Sequence, residues 1–223
     1  MTASAATPPV RSGIPRWIEA TISFCGLVAL SPLIGLAMLA VRLSSPGPVF
    51  FVQPRVGRNG RPFPLYKLRS MRVGAGGPGV TGKDDPRVTP IGRVLRKTKL
   101  DELPQLWNVV RGDMALVGPR PELLKYADAS DPLWARVLAV RPGITDPLAV
   151  RLRDEESLMP AEEAERERFY MEVLQPMKLT GYLEYLERRT AWSDVGVVFA
   201  TLGAVIRPGR PEDSAEAIKS GRL

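Results

Sequence analysis

The chain contains no histidine among its 223 residues and a single cysteine, Cys25. Without imidazole there is no Ser-His-Asp or Cys-His nucleophile pair, no His-ligated zinc and no histidine general base. One cysteine forms no intramolecular disulfide. Cys25 lies in an apolar run, where a thiol serves as a small hydrophobe, and a reducing compartment is compatible with that usage. Aromatic residues make up 7% of the chain and are not interleaved with its basic stretch. That argues against nucleic acid as a partner. Carboxylates, lysines, arginines and hydroxyls remain for chemistry.

Charge is also missing from one long segment. Residues 20–41, "ATISFCGLVALSPLIGLAMLAV", carry none, with Arg16 and Glu19 before them and Arg42 after. Spanning a bilayer takes ~20 apolar residues. Three readings are open: a secretory signal peptide, a single span, and a helix that enters the membrane and turns back. The run is long for a signal peptide. Ser31-Pro32 sits at its centre, where proline deletes one helical hydrogen bond and crowds the preceding turn. The Ser31 hydroxyl is placed to satisfy the freed backbone group. A kink there makes two short arms, neither able to span.

Acidic residues are scarce in the next quarter of the chain. Residues 50–100 hold twelve Lys/Arg against Asp84 and Asp85, so the net charge of +7 is concentrated there. This implies an anionic partner: a membrane surface, a phosphorylated small molecule or nucleic acid. By the positive-inside rule this stretch faces the cytoplasm.

Coarse elements can be placed along the rest. "RNGR" at 58–61 separates two strand-like runs, so a β-hairpin is predicted with strands near 48–56 and 62–70. Its prolines mark edge strands. "GAGGPGVTGKDDP" is a glycine-rich surface loop. Gly77, Gly82 and Lys83 match a phosphate-loop spacing, but Asp84 replaces the required Ser or Thr and no helix pattern comes after it. "IGRVLRKTKL" and "LPQLWNVV" have helical spacing. "LWARVLAVRPGIT" reads as a helix ending at Arg141-Pro142-Gly143. "MPAEEAERERFYMEVLQPMKLTGYLEYLERR" reads as one or two mostly solvated helices. "WSDVGVVFATLGAVI", 192–206, is too short to span and suits an interfacial or docked helix. Residues 1–13 are expected as a disordered arm, 14–43 as the apolar helix, 44–206 as the main folded domain, and 207–223 as a loose tail.

Between the two central helices stands "KTKLDELPQLW", with Asp101 and Glu102 side by side after Arg93, Arg96, Lys97 and Lys99. Asp101 as an N-cap, or in a capping box with Thr98, is one account of this. It leaves Glu102 and the crowd of cations unexplained, though surface ion pairs account for such charges. Downstream, Pro119 and Pro121 hold Arg120 between them. An arginine fixed in that way loses less entropy on gripping a phosphate.

Taken together and in order, these pieces resemble the monotopic phosphoglycosyl transferases of the bacterial sugar transferase family. The resemblance runs from about Pro15 to Ile206. It rests on the apolar helix with Ser31-Pro32, "SPGPVFFVQPRVGRNGRPFPLYKLRSM", "DDPRVTPIGRVLRKTKLDELPQLWNVVRGDMALVGPRPE" and "RPGIT". It implies a mainly α fold with a small β-hairpin (α+β), held by an N-terminal re-entrant helix broken at Ser31 and Pro32 and by interfacial amphipathic helices. It implies transfer of a sugar 1-phosphate from a UDP-sugar to undecaprenyl phosphate at the cytoplasmic face of the bacterial inner membrane, with Mg2+ and release of UMP. Partners are then the UDP-sugar, the polyprenol phosphate and the bilayer, with a homo-oligomer compatible and no nucleic acid. Asp101 matches the nucleophile of a covalent phosphosugar intermediate and a magnesium contact, and Glu102 the second member of the dyad. Lys67, Arg69, Arg96, Arg120, Arg141 and Arg153 match substrate-binding cations. The chain departs from the family pattern after Thr145, where it reads "DPLAVRLR" in place of Gly, an apolar residue, Ala, Gln and Val. The absence of a large N-terminal membrane domain suggests the minimal catalytic form. The competing reading from another class is a catalytically inactive membrane scaffold, motivated by that departure.

Overall fold

The structure, a computed structural model, describes residues 11–77, 79–82, 84–152 and 155–206. Helix α1 (Arg16–Ser44) leads to a hairpin of β1 (Phe50–Val56) and β2 (Pro62–Leu68). Next come helices α2 (Pro90–Thr98) and α3 (Gln105–Arg111), then β3 (Ala115–Val117), α4 (Pro132–Val137) and β4 (Gly143–Thr145). The remaining helices are α5 (Pro147–Arg151), α6 (Glu155–Leu158), α7 (Glu163–Phe169), α8 (Gln175–Arg188) and α9 (Ala191–Ile206). The fold is mostly helical with two small sheets.

The hairpin is antiparallel, from Phe50 opposite Leu68 to Val56 opposite Pro62. Its strands are shorter than the predicted ones by about two residues at their outer ends. Asn59 adopts φ 57° and Gly60 φ 73°, the left-handed conformations that an Asn-Gly turn accommodates. The free edge of β2 is capped by a side chain. Asn108 of α3 accepts from Tyr66 N at 3.2 Å and donates to Pro64 O at 2.7 Å. Fully buried, it replaces a missing strand and docks α3 on the hairpin. Phe63, Leu65, Val109 and Met114 fill the space between.

A second pairing was not foreseen. The "RPGIT" segment, expected as a helix end, is strand β4, parallel to β3 with Ala115 opposite Gly143 and Val117 opposite Thr145. The approach is so close that a Cβ on Gly143 would lie 2.1 Å from Gly118 N, so glycine is required there. Three-residue strands carry too little periodicity to be read from sequence.

Residues 170–188 also differ from expectation. Instead of a solvated face, α8 and the π-helical turn Tyr170–Leu174 that precedes it turn an inward face to the core. Tyr182 and Leu186 pack with Val56, Trp134, Val137 and Leu148. Tyr170 and Leu174 pack with Val80, Tyr126 and Met159.

Helix α1 is long and apolar enough to cross a membrane. Its helical conformation continues through Pro32, so the expected break at Ser31-Pro32 is not an interruption of the helix. The Ser31 hydroxyl donates to Val28 O at 2.8 Å, the carbonyl that Pro32 leaves without a donor. Both arms of α1 pack on the same body. At the N-terminal arm, Arg16 donates to Val110 O at 2.8 Å and Glu19 accepts from Leu116 N at 3.0 Å. At the C-terminal arm, Ala37 and Val41 pack with Leu68 and Leu95. Residues 24–36, between the arms, hold no buried position.

Helix α9 presents Trp192, Phe199 and Leu202 to the outside, with Trp192 84% exposed. Its N-terminal turn is locked to the body by Asp194, which pairs with Arg189 at 2.8 Å and accepts from Ile14 N at 3.2 Å. The segment just before α1 is therefore packed at Ile14. The expected arm and tail otherwise fall largely outside the described residues.

Candidate active site

Asp101 and Glu102 lie in a single 3-10 turn, Leu100–Glu102, between α2 and α3. Several local features place that turn. Thr89 caps α2 by accepting from Gly92 N at 2.9 Å. Gly92 rides so close to the end of the hairpin that a Cβ would meet Ser70 O at 1.9 Å. Lys99, at φ 58°, ends α2 in a left-handed residue and swings the chain into the turn. Asp101 is thus not an N-cap. The residue preceding α3 is Pro104, and Thr98 bonds back to Val94 O and Leu95 O instead of forming a capping box.

The second wall comes from the parallel strand pair. Gly118 N donates to Thr145 O at 3.0 Å and Gly143 N to Pro119 O at 2.9 Å. The segments leaving the C-terminal ends of β3 and β4 therefore emerge side by side, bringing Arg120 and Asp146 to one place. Arg120 donates to Glu102 Oε1 at 2.7 Å. From β2, Lys67 Nζ reaches the same oxygen at 2.9 Å. Two cations thus share one carboxylate oxygen.

The consequences for the two acids are opposite. Burial alone would raise the Glu102 pKa, but Arg120, Lys67 and Lys99 outweigh it and hold the carboxyl well below the usual range. Burial pushes Asp101 up, and the neighbouring Glu102 charge pushes it further, against partial relief from Lys67, Lys99 and Arg96. Asp101 is 6% exposed. Its Oδ1 is buried without a hydrogen-bond partner, the one carboxylate oxygen so placed among the described residues. Glu102 is committed to cations, whereas Asp101 Oδ1 has no partner.

Both acids line a cavity of about 730 Å³. One side is apolar, with Phe50, Phe51, Val52 and Val73 partly exposed. The other is polar and includes Arg120, Asp146, Glu155 and Lys178. The glycine-rich loop, with Gly74, Gly76 and Gly77 at positive φ, forms part of the rim, so it is more than an outer surface loop.

The expected substrate cations divide. Lys67 and Arg120 meet at Glu102. Arg96 lines the cavity and is paired with Glu156. Arg69 also borders it, but its Nη atoms bind Pro46 O at 2.9 Å and Ser45 O at 2.7 Å. Those contacts make Arg69 a clamp on the end of α1. Arg141 is not among the cavity-lining residues. Its charge interacts with Glu19, Arg16, Arg58 and Arg189, near the start of α1. Arg153 lies outside the described residues.

Several lining groups escaped the sequence reading. Arg55 donates to Pro121 O at 3.2 Å and to Gln53, and its buried Nε has no partner. Lys178 lies in the stretch expected to be solvated, yet is 5% exposed. Its signal was available: Tyr170, Leu174, Lys178 and Tyr182 recur every four residues, and a lysine inside an otherwise apolar or aromatic stripe points inward.

The donor set suits a hard cation. Among the described residues no group of three or more acidic or thiol side chains stands ready to enclose a metal. Mg2+, however, typically takes one or two carboxylates and completes its shell with waters and substrate phosphates. The unpartnered Asp101 oxygen fits that role.

Comparisons with known proteins show what the chain is similar to. A UDP-glucose:undecaprenyl-phosphate glucose-1-phosphate transferase of Caulobacter vibrioides is 39% identical over 205 residues, covering 89% of this chain and 72% of that one. A UDP-N-acetylgalactosamine-undecaprenyl-phosphate N-acetylgalactosaminephosphotransferase of Aeromonas hydrophila is 34% identical over 203 residues, 89% of this chain and 45% of that one. An Escherichia coli UDP-glucose:undecaprenyl-phosphate glucose-1-phosphate transferase is 38% identical over 182 residues, 79% of this chain and 36% of that one. The chain thus spans less than half of two of these relatives. Residues 10–208, nearly the whole chain, match the profile of one family, and the protein belongs to it: the bacterial sugar transferases.

Proposed function

We propose that the chain transfers a sugar 1-phosphate from a UDP-sugar to undecaprenyl phosphate through a covalent intermediate on Asp101. The observation that carries this reading is the division of labour in the acidic pair. Glu102 is neutralised by Lys67 and Arg120, whereas Asp101 keeps an unpartnered oxygen in the cavity. The named activities of the relatives support the same class of reaction.

In the first step an Asp101 oxygen attacks the phosphorus that bears the sugar. A P–O bond of the diphosphate breaks, UMP leaves and an acyl phosphate forms. In the second step an oxygen of the polyprenyl phosphate attacks the same phosphorus. The acyl phosphate bond breaks, the Asp101 carboxylate is restored, and the product is a polyprenyl diphosphosugar. Neither step needs a proton removed, which suits a protein without histidine. Arg120 and Lys67 hold positive charge beside Asp101 and offset repulsion between an anionic nucleophile and an anionic donor. Magnesium, when held by Asp101, supplies further neutralisation of the diphosphate.

The apolar wall of Phe50, Phe51 and Val52 supports an isoprenoid acceptor. Packing of both arms of α1 on one body, with no buried position between them, supports a helix that bends at Pro32 and enters and leaves the same membrane face. The exposed apolar faces of α1 and α9 then contact lipid, and the basic stretch sets the body on the cytoplasmic side.

The test supplies vesicle-reconstituted protein with undecaprenyl phosphate, magnesium and a panel of UDP-sugars, and identifies the nucleotide released. UMP that disappears with Asp101→Asn is the expected result. UDP as product, or turnover indifferent to Asp101→Asn, would sink the mechanism. No nucleotide from any donor would favour the scaffold reading.

A further inference from the structure

The polar end of the cavity is built from five residues on three separate segments: Asp146, Glu155, Tyr170, Lys178 and Tyr182. Four of them are nearly inaccessible, at 1% for Asp146 and Tyr182 and 5% for Tyr170 and Lys178. Burying such groups costs free energy unless they are partnered, and in a cavity wall they keep hydrogen-bonding capacity for a ligand. Asp146 caps α5 through one oxygen, accepting from Ala149 N at 2.8 Å. Lys178 pairs with Glu155 at 2.6 Å and lies over the Tyr170 ring, 5.1 Å from its centroid. An ammonium has three donors, so the pair with Glu155 leaves donors to spare.

This wall adjoins the phosphate machinery. The Arg120 guanidinium, bonded to Glu102, also interacts electrostatically with Glu155 and Tyr182, and Asp146 with both Arg120 and Lys178. Arg120 therefore stands between the dyad and the wall. Two carboxylates among five residues make the wall hostile to phosphate. Its polarity makes it a poor match for an isoprenoid. Closely mixed donors and acceptors suit a ligand whose every hydroxyl both donates and accepts.

We infer that Asp146, Glu155, Lys178 and Tyr182 form the subsite that reads the hydroxyls of the donor's hexose, with Lys178 as its central specificity-determining residue. The inference rests on the proposed transfer for the identity of the donor. The sugar is attached to the phosphorus that Asp101 attacks, so with the diphosphate at Arg120 the hexose projects onto this wall. A site that hydrogen-bonds a substrate hydroxyl rejects analogues that lack or misplace it, because its own buried groups are then left unpaired.

The test is equilibrium binding, which needs no turnover. Epimeric UDP-hexoses and UDP are titrated into the full chain in lipid nanodiscs, carrying Asp101→Asn alone or with Lys178→Met. At least one UDP-hexose is expected to bind tenfold or more tightly than its epimer, and Lys178→Met is expected to erase that difference while changing UDP affinity less than about twofold. Glu155→Gln, a milder change, is expected to shift the same ratio by threefold or more, and serves if Lys178→Met does not fold. Equal affinity for all hexoses, or loss by the same factor for every ligand, overturns the subsite. UMP release by the unsubstituted protein separately judges the transfer, so failure of one reading is distinguishable from failure of the other.

Discussion

Lys67 and Arg120 donate to the same atom, Oε1 of Glu102, at 2.9 and 2.7 Å. One comes from the hairpin and the other from the Pro-Arg-Pro loop, so this oxygen joins two separately built parts of the fold. Glu102 is only partly exposed, and its negative charge is more than matched locally. The surplus cation is then available to an incoming anion, and the adjacent Asp101 has no share in either ion pair.

Glu102→Gln is expected to damage both fold and function. Removing one partner from this partly buried ion cluster leaves cations uncompensated and costs on the order of 1–3 kcal/mol. Thermal unfolding should show the loss directly. Asp101→Asn should leave the melting temperature unchanged or raised, because it removes a carboxylate that burial disfavours, while turnover falls by on the order of a thousandfold or more. If Asp101→Asn destabilised the fold as much as Glu102→Gln, the division of labour between the two acids would be wrong.

The acid limb of activity should report Asp101. The reacting form is the carboxylate, and its folded pKa is raised by burial and by Glu102. Activity is therefore present above that raised pKa and lost as pH falls through it, at a higher pH than for a free aspartate. Glu102→Gln removes the neighbouring charge and should move the limb of kcat/KM to lower pH in whatever activity remains. A limb that stayed in place would assign it to another group.

How much was legible depends on the range of the contacts involved. The hairpin, α2, α3 and α9 were read because turn residues and local periodicity determine them. Asp101, Glu102 and Arg120 were singled out because each sits in a short, chemically distinctive stretch, and the structure brings them to one cavity. The β3–β4 pairing was not, since it joins positions about 28 residues apart through backbone alone. Arg69 was read as a substrate contact from its place in the Lys-x-Arg-Ser-Met match, but it lies just past the end of β2, where its guanidinium is taken up by Val41 O and Ser45 O at the end of α1. Lys178 and Asp146 were missed for a related reason. The four-residue spacing marks Lys178 as inward-facing, but that it meets Asp146 in one cavity, assembled from β4, α5 and α8, is encoded by no local pattern.

Asp146 carries a stability prediction of its own. Its carboxyl is fully enclosed, and burial pushes its pKa up to about 6 from the 3.8 of an unperturbed aspartate. The folded protein therefore binds this proton more tightly than the unfolded chain. Stability from this group is fully present below pH 3.8 and is lost as pH rises towards 6. At pH 7.5 the penalty is about 3 kcal/mol for a shift of this size. Asparagine keeps the cap without the charge, so Asp146→Asn should raise the melting temperature at pH 7.5 and lose that advantage near pH 4. A gain independent of pH would contradict burial of an ionised Asp146.

The packing of α1 makes the last prediction. Ile14 bonds to Asp194 of α9, and Ser45 just beyond α1 is held by Arg69 of the catalytic body. Arms tied in this way to one body cannot lie on opposite sides of a bilayer without pulling Arg16, Glu19 and Arg69 off buried partners. Each such group left unpaired costs on the order of 1–3 kcal/mol or more. Single cysteines at positions 12 and 47, placed in a Cys25→Ser background, should therefore react from the same side of sealed inverted vesicles with a membrane-impermeant maleimide. Position 28, in the stretch between the arms, should be protected by lipid. Labelling of 12 and 47 from opposite sides would establish a span, and the contacts of one arm with the body would have to be given up.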